Sequence, residues 1–197
     1  DLGKGKTLAA ELSERFDTEE EAMEFLESCK GASFSITDLQ TRPLRRTLAP
    51  PFTTSTLQQE AARKLGFSVI QTIMVAQILY VAGKISYMRT DSVNLADEAR
   101  NGAQKQIIAA FGNEFFQSRQ FKTKSASAQE AHEAIRPTDF SLMDPGMDRN
   151  GLRLYELIWK RAIASQMADA ELEKTTATIG ISTSPRTLVA TGEVIKF

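Results

Sequence analysis

The chain has 197 residues, 42% of them hydrophobic, and sets 24 lysines and arginines against 25 aspartates and glutamates, for a formal net charge of -1. That length holds one or two domains and that composition a sizeable core, so a disordered polyelectrolyte is excluded, and no apolar run approaches the roughly 20 residues of a membrane helix. One cysteine (Cys29) and one histidine exclude an internal disulfide and a four-ligand Cys/His zinc site, and fit a reducing cytoplasm.

The first 30 residues hold nine acidic and four basic side chains, so the mild overall acidity belongs to this leading segment and the remainder is net basic. The start, Asp1-Leu2-Gly3-Lys4, is neither an initiator methionine nor a signal peptide and reads as the edge of a piece of a longer chain. Thr18-Glu19-Glu20-Glu21 has the form of a capping box and opens a helix over residues 18–29, with Ala22, Phe25 and Leu26 as its apolar stripe. Ser33-Phe34-Ser35-Ile36-Thr37 alternates as a half-buried strand does and runs into the basic block Arg42-Pro43-Leu44-Arg45-Arg46. That block has two readings, a solvated edge strand or a phosphate-facing one.

After Pro50-Pro51, the patterns Ser55-x-x-Gln58 and Ser68-x-x-Gln71 predict two helix starts, closed by Gly66 and Gly83. Leu57, Ala61 and Leu65 line the first helix, and Ile70, Ile73, Met74, Ile78 and Val81 the second, all assigned to core packing. Ile85-Ser86-Tyr87-Met88 then forms a short extended segment that delivers Tyr87 to the polar run Arg89-Thr90-Asp91-Ser92. Asn94 is the expected cap of a helix through Phe111, with Ile107, Ile108 and Phe111 inward. Residues 113–128 read as a loop mixing Phe115, Phe116 and Phe121 with Arg119, Lys122 and Lys124, an ordinary surface loop or a place where bases stack. Residues 130–136 read as a helical turn stopped by Pro137, residues 149–169 as a helix, and Thr175–Ile181 and Thr187–Phe197 as strands. The fold class is α+β: a helical block inserted into a β-rich domain only partly present.

A tyrosine hydroxyl has a pKa of about 10, so as a nucleophile it needs positive charge nearby and a route for its proton. Arg89 stands two residues from Tyr87, on the same face of an extended segment, where a guanidinium suits a phosphate; the plain alternative is a half-buried strand tyrosine beside a surface arginine. His132 and Arg136, four apart, share a face of the expected helical turn, either meeting one phosphodiester or serving structure. Asp91 and Glu133 either orient Arg89 and His132 or form surface ion pairs.

Four stretches in order resemble the bacterial type IA DNA topoisomerases: Pro51-Phe52-Thr53-Thr54-Ser55-Thr56-Leu57-Gln58, Ala76-Gln77 with Leu79-Tyr80, Ile85-Ser86-Tyr87-Met88-Arg89-Thr90-Asp91-Ser92, and Ala131-His132-Glu133-Ala134-Ile135-Arg136-Pro137. The likeness runs through essentially the whole chain, including the Gly192-Glu193-Val194 strand, and departs from the family in having Ser86 where threonine is usual. The resemblance implies that Tyr87 attacks a DNA phosphodiester to give a 5'-phosphotyrosyl link, with Arg89 and His132 as its catalytic partners and Asp91, Arg136, Glu133 and Thr90 in support. It implies relaxation of negative supercoils through strand passage, without ATP, on a single-stranded segment. Residues 1–46 and 173–197 correspond to the family's β-rich arch domain and 47–172 to its tyrosine-bearing helical domain. The Mg2+-binding Toprim domain has no counterpart in the chain, so the metal and the remaining domains of the same enzyme are expected partners, in the cytoplasm and at the nucleoid.

Tyrosine recombinases and type IB topoisomerases also join arginines, a histidine and a tyrosine at a phosphodiester, but with the tyrosine after the other residues; here Tyr87 precedes His132 and Arg136. A second alternative is a DNA-binding or structural module without turnover, marked by weak, salt-sensitive binding of single strands.

Overall fold

The computed structural model describes residues 7–121 and 133–196. The chain divides into two compact units, one formed by the residues up to Arg46 with those from Ala170 onward, the other by Thr47–Asp169. The architecture is α+β with an antiparallel sheet.

The first unit is a four-stranded sheet in the order β1-β4-β3-β2, with β1 Glu11–Leu12, β2 Phe34–Arg46, β3 Ala170–Ile181 and β4 Ser184–Ile195. β3 and β4 are joined by the two-residue turn Ser182-Thr183. Between β1 and β2 lies α1, Glu19–Ser28, whose cap Thr18 accepts a hydrogen bond from the Glu21 amide as the sequence predicts. Phe16 meets the Phe25 ring at 5.3 Å and carries the Arg186 guanidinium on its face, which fastens α1 beside β4. β2 departs from the half-buried strand expected at residues 33–37. It is 13 residues long, continues through the basic block, and leaves all its side chains exposed except the half-buried Leu44. The reason is its place at the sheet edge, paired on one side only with β3. Arg45 and Arg46 form surface ion pairs with Glu171 and Glu193, so the block behaves as a solvated edge.

The second unit is helical: α2 Thr54–Leu65, α3 Val69–Val81, α4 Asp97–Ala110 and α5 Arg149–Ser165. α5 is its spine. Asp148 caps it, and Leu154, Leu157, Ile158, Ala162 and Ile163 recur at helical spacing and are all buried, as the sequence predicts. Trp159 donates its indole N–H to the Phe140 carbonyl, and the Tyr155 hydroxyl donates to Leu142.

Several expectations are corrected. α2 is capped two residues before Ser55: Thr53 is the cap, its hydroxyl accepting from the Thr56 amide while the Thr56 hydroxyl accepts from the Thr53 amide. Ser68 caps α3 through Gln71 as predicted, but of the residues assigned to the core on α3 only Ile73 is half-buried. Thr72, Ala76 and Leu79 are the buried residues, packed toward α5 and α2, whereas Ile70, Met74, Ile78 and Val81 face outward, from 54% exposed at Ile78 to 75% at Val81. Small residues at positions 72 and 76 let the helices approach closely, and the Thr72 hydroxyl is satisfied by the Ser68 carbonyl. Asn94 does not cap α4; its amide is spent on the backbone of Phe121, and Ala96 holds the cap position. Of the three residues expected inward on α4, only Ile107 is buried, while Ile108 and Phe111 are exposed. Arg119 turns inward, bonded to the Met167 carbonyl, Gln117 and Asp169, and Phe115 and Phe116 pack on the core, so this part of the loop does not present bases with a stacking surface. Lys122 and Lys124 lie outside the described residues. Residues 133–137 are extended, with Ile135 bridged to Phe52 and Pro137 to Ile85, so their described part is no helical turn.

Among the described residues no single helix is long and apolar enough to cross a membrane.

Candidate active site

Tyr87 lies on the loop that follows α3. Gly83, at a φ of 69°, ends the helix in a left-handed conformation that suits glycine, and Ile85 is buried against the 135–137 segment. From there exposure alternates: Tyr87 is 47% exposed, Met88 is buried and Arg89 is exposed. The buried methionine thus anchors the loop from beneath while the phenol and the guanidinium stand above it. The Tyr80 ring, on the last turn of α3, meets Tyr87 edge-on at 5.4 Å and supports it from one side.

Two hydroxyl clamps hold this loop on either side of the tyrosine. The Ser86 hydroxyl donates to the Ala134 carbonyl at 2.8 Å and accepts from the Arg136 amide at 2.9 Å, while the Ser86 amide donates to the Arg136 carbonyl. Thr54, in the first turn of α2, donates to the Met88 carbonyl at 2.7 Å and accepts from the Thr90 amide at 2.9 Å, and its own amide donates to the Thr90 carbonyl. Thr90 is therefore a backbone partner of the clamp, and its hydroxyl accepts from the Ser92 amide. Sequence reasoning left Thr54 unassigned and saw Ser86 only as a retained hydroxyl. Their partners are 34 to 50 residues away, and the sole local signal was the unbroken hydroxyl run Thr53-Thr54-Ser55-Thr56.

Arg89, Thr90 and Asp91 line a cavity of about 530 Å3 with Thr53, Thr54 and Ser55. Among the described residues no hydrogen bond or ion pair occupies the Arg89 guanidinium or the Asp91 carboxylate. The site therefore offers an exposed phenol and an unengaged planar cation, two residues apart, above hydroxyl groups at a helix start. A planar cation so placed is able to bind the oxygens of a phosphodiester, and a phenol is a group able to attack phosphorus.

Arg136 and Glu133 take a different place. Arg136 forks onto Glu133, with Nε 2.9 Å from Oε1 and Nη2 3.0 Å from Oε2, and its Nη1 donates to the Pro137 carbonyl. Glu133 also accepts from the Ala96 amide at the start of α4, so the pair ties the 133–137 segment to that helix. Both side chains are largely buried, and Glu133 orients Arg136. His132 lies outside the described residues.

The donor set does not fit a divalent metal. Among the described residues no three of His, Cys, Asp and Glu come together, and the cavity beside Tyr87 contains one carboxylate, that of Asp91.

Comparison with known proteins decides what this arrangement belongs to. The family model for DNA topoisomerase matches residues 2–197. This chain belongs to the bacterial type I DNA topoisomerase family. It is 50% identical over 166 residues to DNA topoisomerase 1 of Zymomonas mobilis, covering 83% of this chain and 14% of that protein. It is 42% identical over 182 residues to DNA topoisomerase 1 type prokaryotic of Acanthamoeba polyphaga mimivirus, covering 91% of this chain and 21% of that one. The solved structure of full-length topoisomerase I from Thermotoga maritima superimposes with a TM-score of 0.77 at 33% identity, over 96% of this chain and 32% of that chain. The chain thus spans roughly a seventh to a fifth of the length of these two curated family members.

Proposed function

We propose that Tyr87 is the nucleophile of a DNA topoisomerase and that this chain is its strand-cleaving part. The observation that carries the reading is the exposed Tyr87 beside the unengaged Arg89, held between the Ser86 and Thr54 clamps, in a member of this family. The Tyr87 hydroxyl oxygen forms a bond to phosphorus as the bond from phosphorus to the 3'-oxygen breaks. The phenolic proton leaves and the 3'-oxygen gains one, so a 5'-phosphotyrosyl strand and a free 3'-hydroxyl result. One phosphoester replaces another, and the reverse reaction reseals the strand without ATP. Arg89 binds the phosphate oxygens and disperses their charge, and Thr54 holds Met88 and Thr90 so that phenol and guanidinium keep one orientation. Asp91 orients Arg89, His132 is the further catalytic partner, and the Glu133–Arg136 pair fixes the segment that follows the histidine.

In this reading the substrate is a single-stranded stretch of negatively supercoiled DNA. Mg2+ belongs to an acidic domain of the same enzyme outside this chain, and no step performed by these residues passes through it. In this reading residues 1–46 and 173–197 belong to an arch that carries the 47–172 domain, and the enzyme works on cytoplasmic, nucleoid DNA.

The test combines this chain with a separately produced Toprim-bearing half, Mg2+ and end-labelled single-stranded DNA. Protein attached to the 5' side of the break, absent with Tyr87→Phe, is the expected result. A 3'-linked adduct, or an adduct that survives the substitution, overturns the assignment.

A further inference from the structure

A second cleft, of about 450 Å3, lies between the last turn of α2 and the outer face of α5. It shares no residue with the cavity beside Tyr87. On α2, ten residues separate Lys64 in this cleft from Thr54 in that cavity, about 15 Å along the helix axis.

Four cations line it: Lys64, Arg153, Lys160 and Arg161. Glu156 is the one carboxylate in the lining and Glu60 lies behind it, so two positive charges remain in surplus. The two arginines are fixed in advance of any ligand. Arg153 lies over the Phe67 ring at 5.3 Å and donates to the Leu65 carbonyl, while Arg161 lies over the Phe52 ring at 4.4 Å and donates to the Pro50 carbonyl. Arg161 is mostly buried, and its separation from Glu60 is 3.6 Å, longer than a hydrogen bond. Burial lowers its pKa more than the Glu60 charge raises it, the mark of a desolvated cation short of counter-charge. The lysines are freer. Lys160 pairs with Glu156 and Lys64 with Glu60 at 3.2 Å each, and with both ammonium groups more than half exposed these pairs yield readily to a stronger anion.

The floor is apolar, built from Leu48, Leu65, Leu157 and Ala164. Arg153, Leu157, Lys160 and Ala164 follow one another at the spacing of a single α5 stripe, which sets Arg153 and Lys160 about 10 Å apart along the helix with leucine between them. Free phosphate has no use for that floor. A sugar–phosphate strand uses both features, with its phosphates on the cations and its sugars on the leucines.

We propose that this cleft is a second nucleic-acid contact, holding backbone phosphates of a DNA strand away from the tyrosine. The inference rests on the DNA reading above and adds a binding site to it.

The test uses Lys64→Glu with Lys160→Glu, two exposed positions whose replacement leaves the core untouched, with unfolding curves as the control for folding. Binding of a fluorescein-labelled oligothymidylate is followed over a salt series. Each phosphate contact on a single strand adds about 0.7 to the slope of log affinity against log salt, so the double variant is expected to lose about 1.4 from that slope and at least about tenfold in affinity at low salt. Lysine acetylation read by mass spectrometry should show the oligonucleotide protecting Lys64 and Lys160 but not Lys30, which is exposed just beyond the end of α1. An unchanged slope overturns the proposal, as does a wild-type chain that fails to bind at low salt. Equal protection by inorganic pyrophosphate overturns the strand as ligand in favour of a small-anion site. Adduct formation at Tyr87 with an unchanged slope would remove the cleft and leave the tyrosine's role standing, so the two failures are distinguishable.

Discussion

Helices α3 and α5 lie against one another in the same unit and treat their apolar residues in opposite ways. α5 is amphipathic, and its stripe from Leu154 to Ile163 is buried where the periodicity puts it. α3 is apolar around nearly its whole circumference, so periodicity cannot choose a face, and the choice falls to close packing. The small Thr72 and Ala76 turn inward and the large Ile70, Met74, Ile78 and Val81 turn out. Core formation therefore accounts for α5, while α3 keeps an apolar surface that folding of this unit does not use. Tyr80, whose ring supports Tyr87, stands on the last turn of the same helix.

The contrast can be broken by measuring stability along the two helices. Ile158→Ala on α5 removes a fully buried side chain and should cost about 2–5 kcal/mol in urea unfolding. Met74→Ala and Ile78→Ala, on the outer face of α3, should each stay within about 0.5 kcal/mol. Similar losses on both helices would erase the distinction.

Alkaline pH sharpens it from the α5 side. Burial, with the charge of Asp139, pushes Tyr155 up to about 12, above its ordinary value of 10.0. A folded pKa above the unfolded one gives stability that is fully present below pH 10 and is lost as pH rises toward about 12. The loss should reach about 2–3 kcal/mol at about 1.36 kcal/mol per unit. Tyr155→Phe should cost about 1–2 kcal/mol at neutral pH, because the Leu142 carbonyl loses its donor, and should abolish that alkaline loss. Urea midpoints across the alkaline range, compared between the two proteins, check both parts.

Smaller effects are expected near the end of α3. Ser86→Ala unties the tyrosine loop from residues 134–136 and should cost about 1–2 kcal/mol, with faster proteolysis at the loop. Arg89→Ala should change stability by less than about 0.5 kcal/mol, since no partner in the described residues depends on it. A large loss there would mean that Arg89 serves the fold rather than a phosphate.

What was legible in the sequence follows from how far each feature reaches along the chain. The caps Thr18 and Ser68 close on residues three positions away, and α5 announces its buried face within one helix. Strands β2, β3 and β4 were legible as runs of strand formers, but not the two-residue β1, nor the exposure of β2 at the sheet edge. The words around Tyr87 carry the family, whereas the clamps that fix Tyr87 do not read locally. Thr54 meets Met88 and Thr90, and Ser86 meets Ala134 and Arg136, across separations that no pattern within one element encodes. The same holds for the extended course of residues 133–137. Its helix-like composition is overridden by pairing with Phe52 and Ile85.

The most direct test of the central claim is to trap the covalent protein–DNA complex, digest both components and sequence the nucleotide-bearing peptide. Trypsin cuts after Lys84 and Arg89, so the expected product is the peptide Ile85–Arg89 carrying a 5'-phosphorylated nucleotide on Tyr87. A nucleotide on Tyr80, on Ser86 or on any peptide outside this one would contradict the account.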